Sequence, residues 1–108
     1  MTPAEIFETN IANRLADPTA SAKAREIDAV YQFNLSGDGG GAWVVDLKNG
    51  KAYAGEAAGA DCTINVAAQD FVNLYQGKVA GPQLFMMGKL KVTGNMGLAM
   101  KLGSVLAG

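Results

Sequence analysis

The sequence has no histidine and one cysteine, Cys62. Without histidine there is no Ser-His-Asp triad, no Cys-His nucleophile and no imidazole metal site. A lone cysteine excludes an internal disulfide and a thiolate zinc cage. It fits a reducing compartment, and the expected location is cytoplasmic. No run of some 18 apolar residues occurs, so no membrane-spanning helix is expected. The first ten residues, MTPAEIFETN, are acidic and polar, unlike a secretory signal. Acids are missing from the last third. Residues 1–70 hold five bases and ten acids, whereas residues 71–108 hold Lys78, Lys89, Lys91 and Lys101 and no acid. The ten acids are scattered, with neither EF-hand nor glycosidase spacing. Acids distant in sequence can still meet in space, although no metal, cofactor or catalytic residue is expected.

What remains is 108 residues, 49% of them hydrophobic, enough for one domain over residues 1–108 with one ordinary core. Thr2-Pro3-Ala4-Glu5 reads as a helix start, with a capping threonine and a proline at the first turn. Phe7, Ile11 and Leu15 then recur every four residues as one apolar stripe. Asp17-Pro18 ends that helix, and Thr19 to Ala24 reads as a polar connection. From Ile27 the period changes to two. Ile27, Ala29, Tyr31, Phe33 and Leu35 share one face of a strand. Gly37 to Gly41 is a turn. Ala42 to Lys48 is a second strand with Trp43, Val45 and Leu47 on one face. Asn49-Gly50 predicts a two-residue hairpin turn into a weaker strand, Lys51 to Gly55. Cys62, Ile64 and Val66 alternate with Thr63 and Asn65 as a fourth strand. Phe71, Leu74 and Tyr75 mark a helix stopped by Gly77. Pro82 opens a short helix, Gln83 to Met87. Lys89 to Thr93 is a brief strand with Leu90 and Val92 inward. Asn95 caps a last helix from Met96 to about Ala107, whose stripe is Leu98, Leu102, Val105 and Leu106. The expected class is α+β with a mainly antiparallel sheet.

Few segments suggest chemistry. GDGGG joins two strands and lacks the Lys-Ser or Lys-Thr of a phosphate loop, so it reads as a hairpin connection. Cys62 shares a face with Ile64 and Val66 and reads as a buried small residue. Two readings stand for the C-terminal lysines: a solvated face, or contact with lipid phosphate. Four charges beside an acidic remainder make a poor nucleic-acid binder, and none is expected. Two readings also stand for Met86, Met87, Met96 and Met100. They fill a core, or they form a deformable binding surface.

The run PQLFMMGKLKVTGNMGLAMKL, Pro82 to Leu102, resembles the C-terminal signature of the sterol carrier protein type 2 family. Asp70-Phe71 to Gln76-Gly77-Lys78 is similar to that family's preceding helix, and the strands of Phe33 and Trp43 fit its order. The resemblance implies a five-stranded twisted sheet covered by helices, with an apolar tunnel between them. It implies binding and transfer, without catalysis, of fatty acids, fatty acyl-CoA, phospholipids and sterols. The expected lining is Phe33, Trp43, Val45, Ile64, Phe71, Leu74, Phe85, Met86, Leu90, Met96, Met100 and Leu102. Lys78, Lys89, Lys91 and Lys101 are expected to meet lipid headgroups and, transiently, an anionic membrane. The chain closes Leu106-Ala107-Gly108 rather than on a peroxisomal Ser-Lys-Leu tripeptide, and the segment that can close the tunnel is expected to be short or missing. Alternatives are an accessory module that presents lipid to a separate lipid-metabolising enzyme, and an acyl-CoA-processing enzyme.

Overall fold

A computed structural model of the chain describes residues 2–95, 97 and 98. Its centre is a five-stranded sheet of β1 (Val30–Ser36), β2 (Gly41–Asp46), β3 (Lys51–Ala54), β4 (Cys62–Ala67) and β5 (Leu90–Gly94). The spatial order is β3-β2-β1-β4-β5. Three neighbouring pairs are antiparallel, and β1 with β4 is parallel. The parallel pair follows from the path. Three meandering strands bring the chain out at one edge, and residues 55–61 carry it back across the sheet to the far side of β1.

The chain enters through α1 (Pro3–Glu5), a π-helical turn (Ile6–Ile11) and α2 (Ala12–Ala16). The Oγ1 of Thr2 accepts from the Glu5 amide at 3.3 Å, as a helix cap should. A strict four-residue repeat outruns an α-helical turn of about 3.6 residues, so a long stripe rotates off its face. The wider π turn takes up that drift. Ile6, Phe7, Ile11 and Leu15 consequently all lie buried in one cluster.

A second helix, α3 (Pro18–Ile27), occupies the stretch expected to be a polar connection. Pro18 ends one helix and opens the next. Alanine favours helix without needing an apolar stripe, and among its described side chains Ala24 and Ile27 join the core. Ile27, expected in β1, is the last residue of this helix. Asp28 follows with a φ of 50°, and the strand begins two residues later.

Within β1, Tyr31, Phe33 and Leu35 point into the core, as expected. In β4 burial alternates strictly, with Cys62, Ile64 and Val66 inward. The hairpin at Asn49-Gly50 is wider than expected. Asp46 pairs with Lys51, which leaves a four-residue loop. The Asp46 carboxylate causes this by accepting from the amides of Lys48 and Asn49 at 3.0 and 3.1 Å. Leu47 is buried and donates its amide to Ala29 O at 2.9 Å. Gly50 completes the loop at a φ of +67°. The glycine run after β1 is a plain connection between antiparallel strands, also as expected.

Both helices α4 (Ala68–Tyr75) and α5 (Gly81–Met86) lie where the spacing places them. β5 ends at Gly94, where a side chain's first carbon would meet Asp61 O at 2.6 Å. Asn95 Oδ1 then accepts from the amides of Gly97 and Leu98 at 2.9 and 3.3 Å. That is the expected cap; the remainder of the expected last helix lies outside the described residues.

The two faces of the sheet are covered differently. The N-terminal helices and α4 pack on the face of Tyr31, Phe33 and Ile64. On the other face, Gln32 and Val44 are buried. There Gln32 Oε1 accepts from the Ala57 amide at 2.7 Å, and its Nε2 donates toward Gly55 O at 3.2 Å. This glutamine ties the 55–61 crossover to the sheet.

Candidate functional site

Aromatic rings gather between the sheet and the helices. Phe7 comes from the π turn, Phe33 from β1, Trp43 from β2 and Phe71 from α4. The Phe7 ring stacks on Trp43 at 5.1 Å and on Phe71 at 4.8 Å, and meets Phe33 tilted at 5.0 Å. Phe33 and Phe71 meet edge to face at 5.6 Å. Such pairs contribute about 0.5–1.5 kcal/mol each beyond the area they bury. Trp43 Nε1 donates to Glu8 Oε2 at 3.4 Å, so its polar edge reaches the surface. Val45 and Ile64 extend the same apolar layer.

Leu74, Leu90, Val92 and Leu98 pack on this cluster but are only partly buried. They form the partly buried margin of the cluster. Tyr31 is fully buried, yet its hydroxyl reaches the Leu98 carbonyl at 2.5 Å. Burial pushes the Tyr31 phenol well above its ordinary value, and the neighbouring Cys62 and Asp61 add to the effect. Burial, then Asp61, also raises the Cys62 thiol. A buried thiol held in its neutral form is a poor nucleophile. Among the described residues no group of acids and cysteine is placed to hold a metal ion.

Of the expected lining, Phe33, Trp43, Val45, Ile64 and Phe71 come together in the buried cluster, and Leu74 and Leu90 lie at its margin. Phe85 and Met86 differ from expectation. They are 45% and 87% exposed. Leu84 takes the inward position on α5 at 3% exposure, and residues one and two steps further along a helix turn away from that face. Met96, Met100 and Leu102, like Lys101, lie outside the described residues. Lys78, Lys89 and Lys91 are exposed. The expected lining omitted Phe7, which touches all three other rings of the cluster. Its place in the N-terminal stripe was the available signal. Tyr31 was omitted too, and no sequence pattern marks its distant carbonyl partner.

The opposite sheet face carries a groove of about 460 Å³ lined by Asn34, Leu35, Ser36, Asn65, Val66, Ala67, Asp70, Lys89 and Lys91. Asn34 Nδ2 donates to Asn65 Oδ1 across the parallel pair at 3.3 Å. This groove is open, and an amide pair, a carboxylate and two ammonium groups line it, unlike the aromatic layer.

The model of the SCP-2 sterol transfer family matches residues 9–107. The chain belongs to that family. Hydroxysteroid dehydrogenase-like protein 2 of Rattus norvegicus is 43% identical over 93 residues, which cover 83% of this chain and 18% of that protein. The chain thus spans about a fifth of the length of that SCP-2 relative. The sterol carrier protein 2 of Yarrowia lipolytica, solved in its apo form, matches with a TM-score of 0.77 and 31% identity, over 89% of this chain and 83% of that one. The sterol carrier protein-2 of Aedes aegypti, solved in complex with palmitate, matches with a TM-score of 0.75 and 28% identity, over 95% of this chain and 92% of that one. The sheet with its one parallel pair is therefore the SCP-2 fold.

Proposed function

We propose that this chain, as one domain over residues 1–108, binds a long-chain lipid between its sheet and helices and carries it without altering it. The observation that carries the reading is the match over nearly the whole chain to a sterol carrier protein-2 solved with palmitate. The aromatic layer supplies an apolar surface, and its partly buried margin at Leu74, Leu90 and Leu98 is the proposed tunnel entrance. Phe33, Trp43, Val45, Ile64, Phe71, Leu74 and Leu90 are the proposed ligand contacts. Met96, Met100 and Leu102 stay with them on the sequence pattern alone.

The magnitudes suit a carrier. Burying ~15 methylenes at ~0.8 kcal/mol each gains about 12 kcal/mol. Lost translation and rotation cost about 4–15 kcal/mol. Micromolar binding results where that cost is low. Because one methylene contributes so little, fatty acids, acyl-CoA, phospholipids and sterols all belong to the proposed ligand class. The neutral Cys62 thiol and the lack of histidine argue against acyl-CoA processing, and free CoA released in a purified assay would revive it. The unpaired thiol supports a cytoplasmic setting.

A second reading has its own observation. Hydroxysteroid dehydrogenase-like protein 2 is several times longer than its matching segment. That favours an accessory module which presents lipid to an enzyme. The direct test of the leading reading is displacement of a fluorescent fatty acid by palmitate, with native mass spectrometry of the purified chain. Saturable competition is expected. No binding of any fatty acid, acyl-CoA or sterol would overturn it.

A further inference from the structure

The turn that ends α5 exposes three large apolar side chains in a row. Phe85 is 45% exposed, Met86 87% and Met87 56%. The turn is held firmly. Leu84 is buried beneath it, the Met87 amide donates to Gln83 O at 3.1 Å, and the Gly88 and Lys89 amides donate to Phe85 O and Leu84 O at 3.1 and 2.9 Å. Backbone hydrogen bonds thus fix the segment that presents these side chains. Lys89 follows just before the sheet-edge strand β5 and Lys91 lies on it, both exposed, and Lys78 is exposed on the preceding loop. One acid, Asp70, shares a groove with Lys89 and Lys91, and no acid follows it in the chain.

We propose that Phe85, Met86 and Met87 form a wedge that enters the surface of an anionic lipid bilayer, with Lys78, Lys89 and Lys91 resting on its phosphates. Two arguments select a bilayer over a protein. Three side chains are too few for a stable protein interface, which buries about 800 Å² on each partner. A bilayer needs no matching shape and accepts a projecting apolar tip directly. The flanking charge also has the sign that anionic headgroups attract. The inference deepens the carrier reading by naming where cargo meets its membrane, but its test stands apart from cargo binding.

The test uses the full chain and vesicles of phosphatidylcholine with about one third phosphatidylserine. A Met86→Cys variant takes a polarity-sensitive dye there, since Cys62 is buried. Its emission should shift to the blue on these vesicles and much less on pure phosphatidylcholine. The combined Phe85→Ser, Met86→Ser and Met87→Ser variant should lose about tenfold or more in vesicle partitioning, with palmitate affinity unchanged. Lys89→Gln with Lys91→Gln should remove the preference for phosphatidylserine. An unshifted dye, or unchanged partitioning of the serine variant, overturns the proposal. So does loss of palmitate binding in that variant, which would place the three side chains in the cargo site. A concentration-dependent dimer abolished by the serine variant would assign the patch to a second copy instead. A dye shift without palmitate binding by the native chain would sink the carrier reading and leave the wedge standing.

Discussion

The hydroxyl of Tyr31, at the end of a fully buried ring, donates to the backbone carbonyl of Leu98, 67 residues further along the chain. It joins the centre of the sheet to the start of the segment that follows Asn95. Tyr31→Phe removes the donor and little else. Leaving that carbonyl short of a partner should cost about 1 kcal/mol, read as a small fall in thermal midpoint. A larger effect is expected on the tether itself. Amide exchange at Gly97 and Leu98 should quicken by more than the global loss explains. Unchanged exchange there would mean that the bond anchors nothing.

The same ring gives an alkaline dependence. Tyr31 and Cys62 are neighbours across the parallel β1–β4 pair, and both are raised above their ordinary values of 10.0 and 9.0, chiefly by burial. The folded protein therefore keeps protons that the unfolded chain gives up. Stability from both groups is complete below about pH 8 and declines as pH climbs past 9 toward the raised folded values. The thermal midpoint should fall between pH 9 and 11, and Tyr31→Phe should flatten the steeper part of that fall. A midpoint level across this range would contradict the assignment.

Gln32 offers a test of the crossover. Its side chain is 6% exposed and holds the Ala57 amide and Gly55 carbonyl against the sheet. Gln32→Leu keeps the volume and removes both bonds, at about 1 kcal/mol each, since Ala57 is only partly buried and Gly55 is exposed to water. Urea unfolding should show the loss, and a protease should cut near residues 55–61 more readily. Because this loop lies on the face away from the aromatic layer, palmitate affinity should hardly change.

Strict alternation made β4 legible, since Cys62, Ile64 and Val66 could face only one way. The every-fourth stripe of Phe7, Ile11 and Leu15 likewise placed the first helix against the core. Spacing failed where a fold is held by something other than an apolar pattern. α3 rests on alanine's helix preference, so it carried no stripe to find. The hairpin after β2 widened because the Asp46 carboxylate captured two amides, a choice between side chain and ladder that Asn49-Gly50 does not reveal. The buried aromatic layer was half legible. Strand phase gathered Phe33, Trp43, Val45 and Ile64 on one face, but direction on a six-residue helix depends on which residue anchors it. Leu84 anchors α5, and Phe85 and Met86 turn outward as a result.

Phe7 should matter most to the proposed cargo site. Its ring contacts Trp43, Phe71 and Phe33 together. Phe7→Leu shortens the contact while keeping the site apolar and should cost about 1–2 kcal/mol of stability. The single tryptophan reports on the same place. Adding palmitate to the native chain should change Trp43 emission saturably, since the indole stacks on a ring of the layer that would receive the chain. In Phe7→Leu the emission should start from a different value, and palmitate affinity should move by several-fold. If Trp43 emission is indifferent to palmitate while fluorescent fatty acid is displaced normally, the lipid sits away from the aromatic layer.

Transfer between vesicles should depend on charge in a way that binding does not. Asp70 is the last acid in the chain, and Lys89 and Lys91 stand exposed beside partly buried Leu90 and Val92. Each lysine near an anionic surface contributes about 1 kcal/mol, so a few give weak and reversible docking. A carrier needs that reversibility, because a tightly held protein cannot leave with its cargo. Transfer of a fluorescent fatty acid should therefore be faster to vesicles containing phosphatidylserine than to neutral ones. The advantage should fade as salt rises, since screening shortens to about 3 Å at 1 M. Lys89→Gln with Lys91→Gln should remove most of the advantage and leave fatty-acid affinity nearly unchanged. Rates indifferent to both vesicle charge and salt would reduce these lysines to an ordinary solvated face.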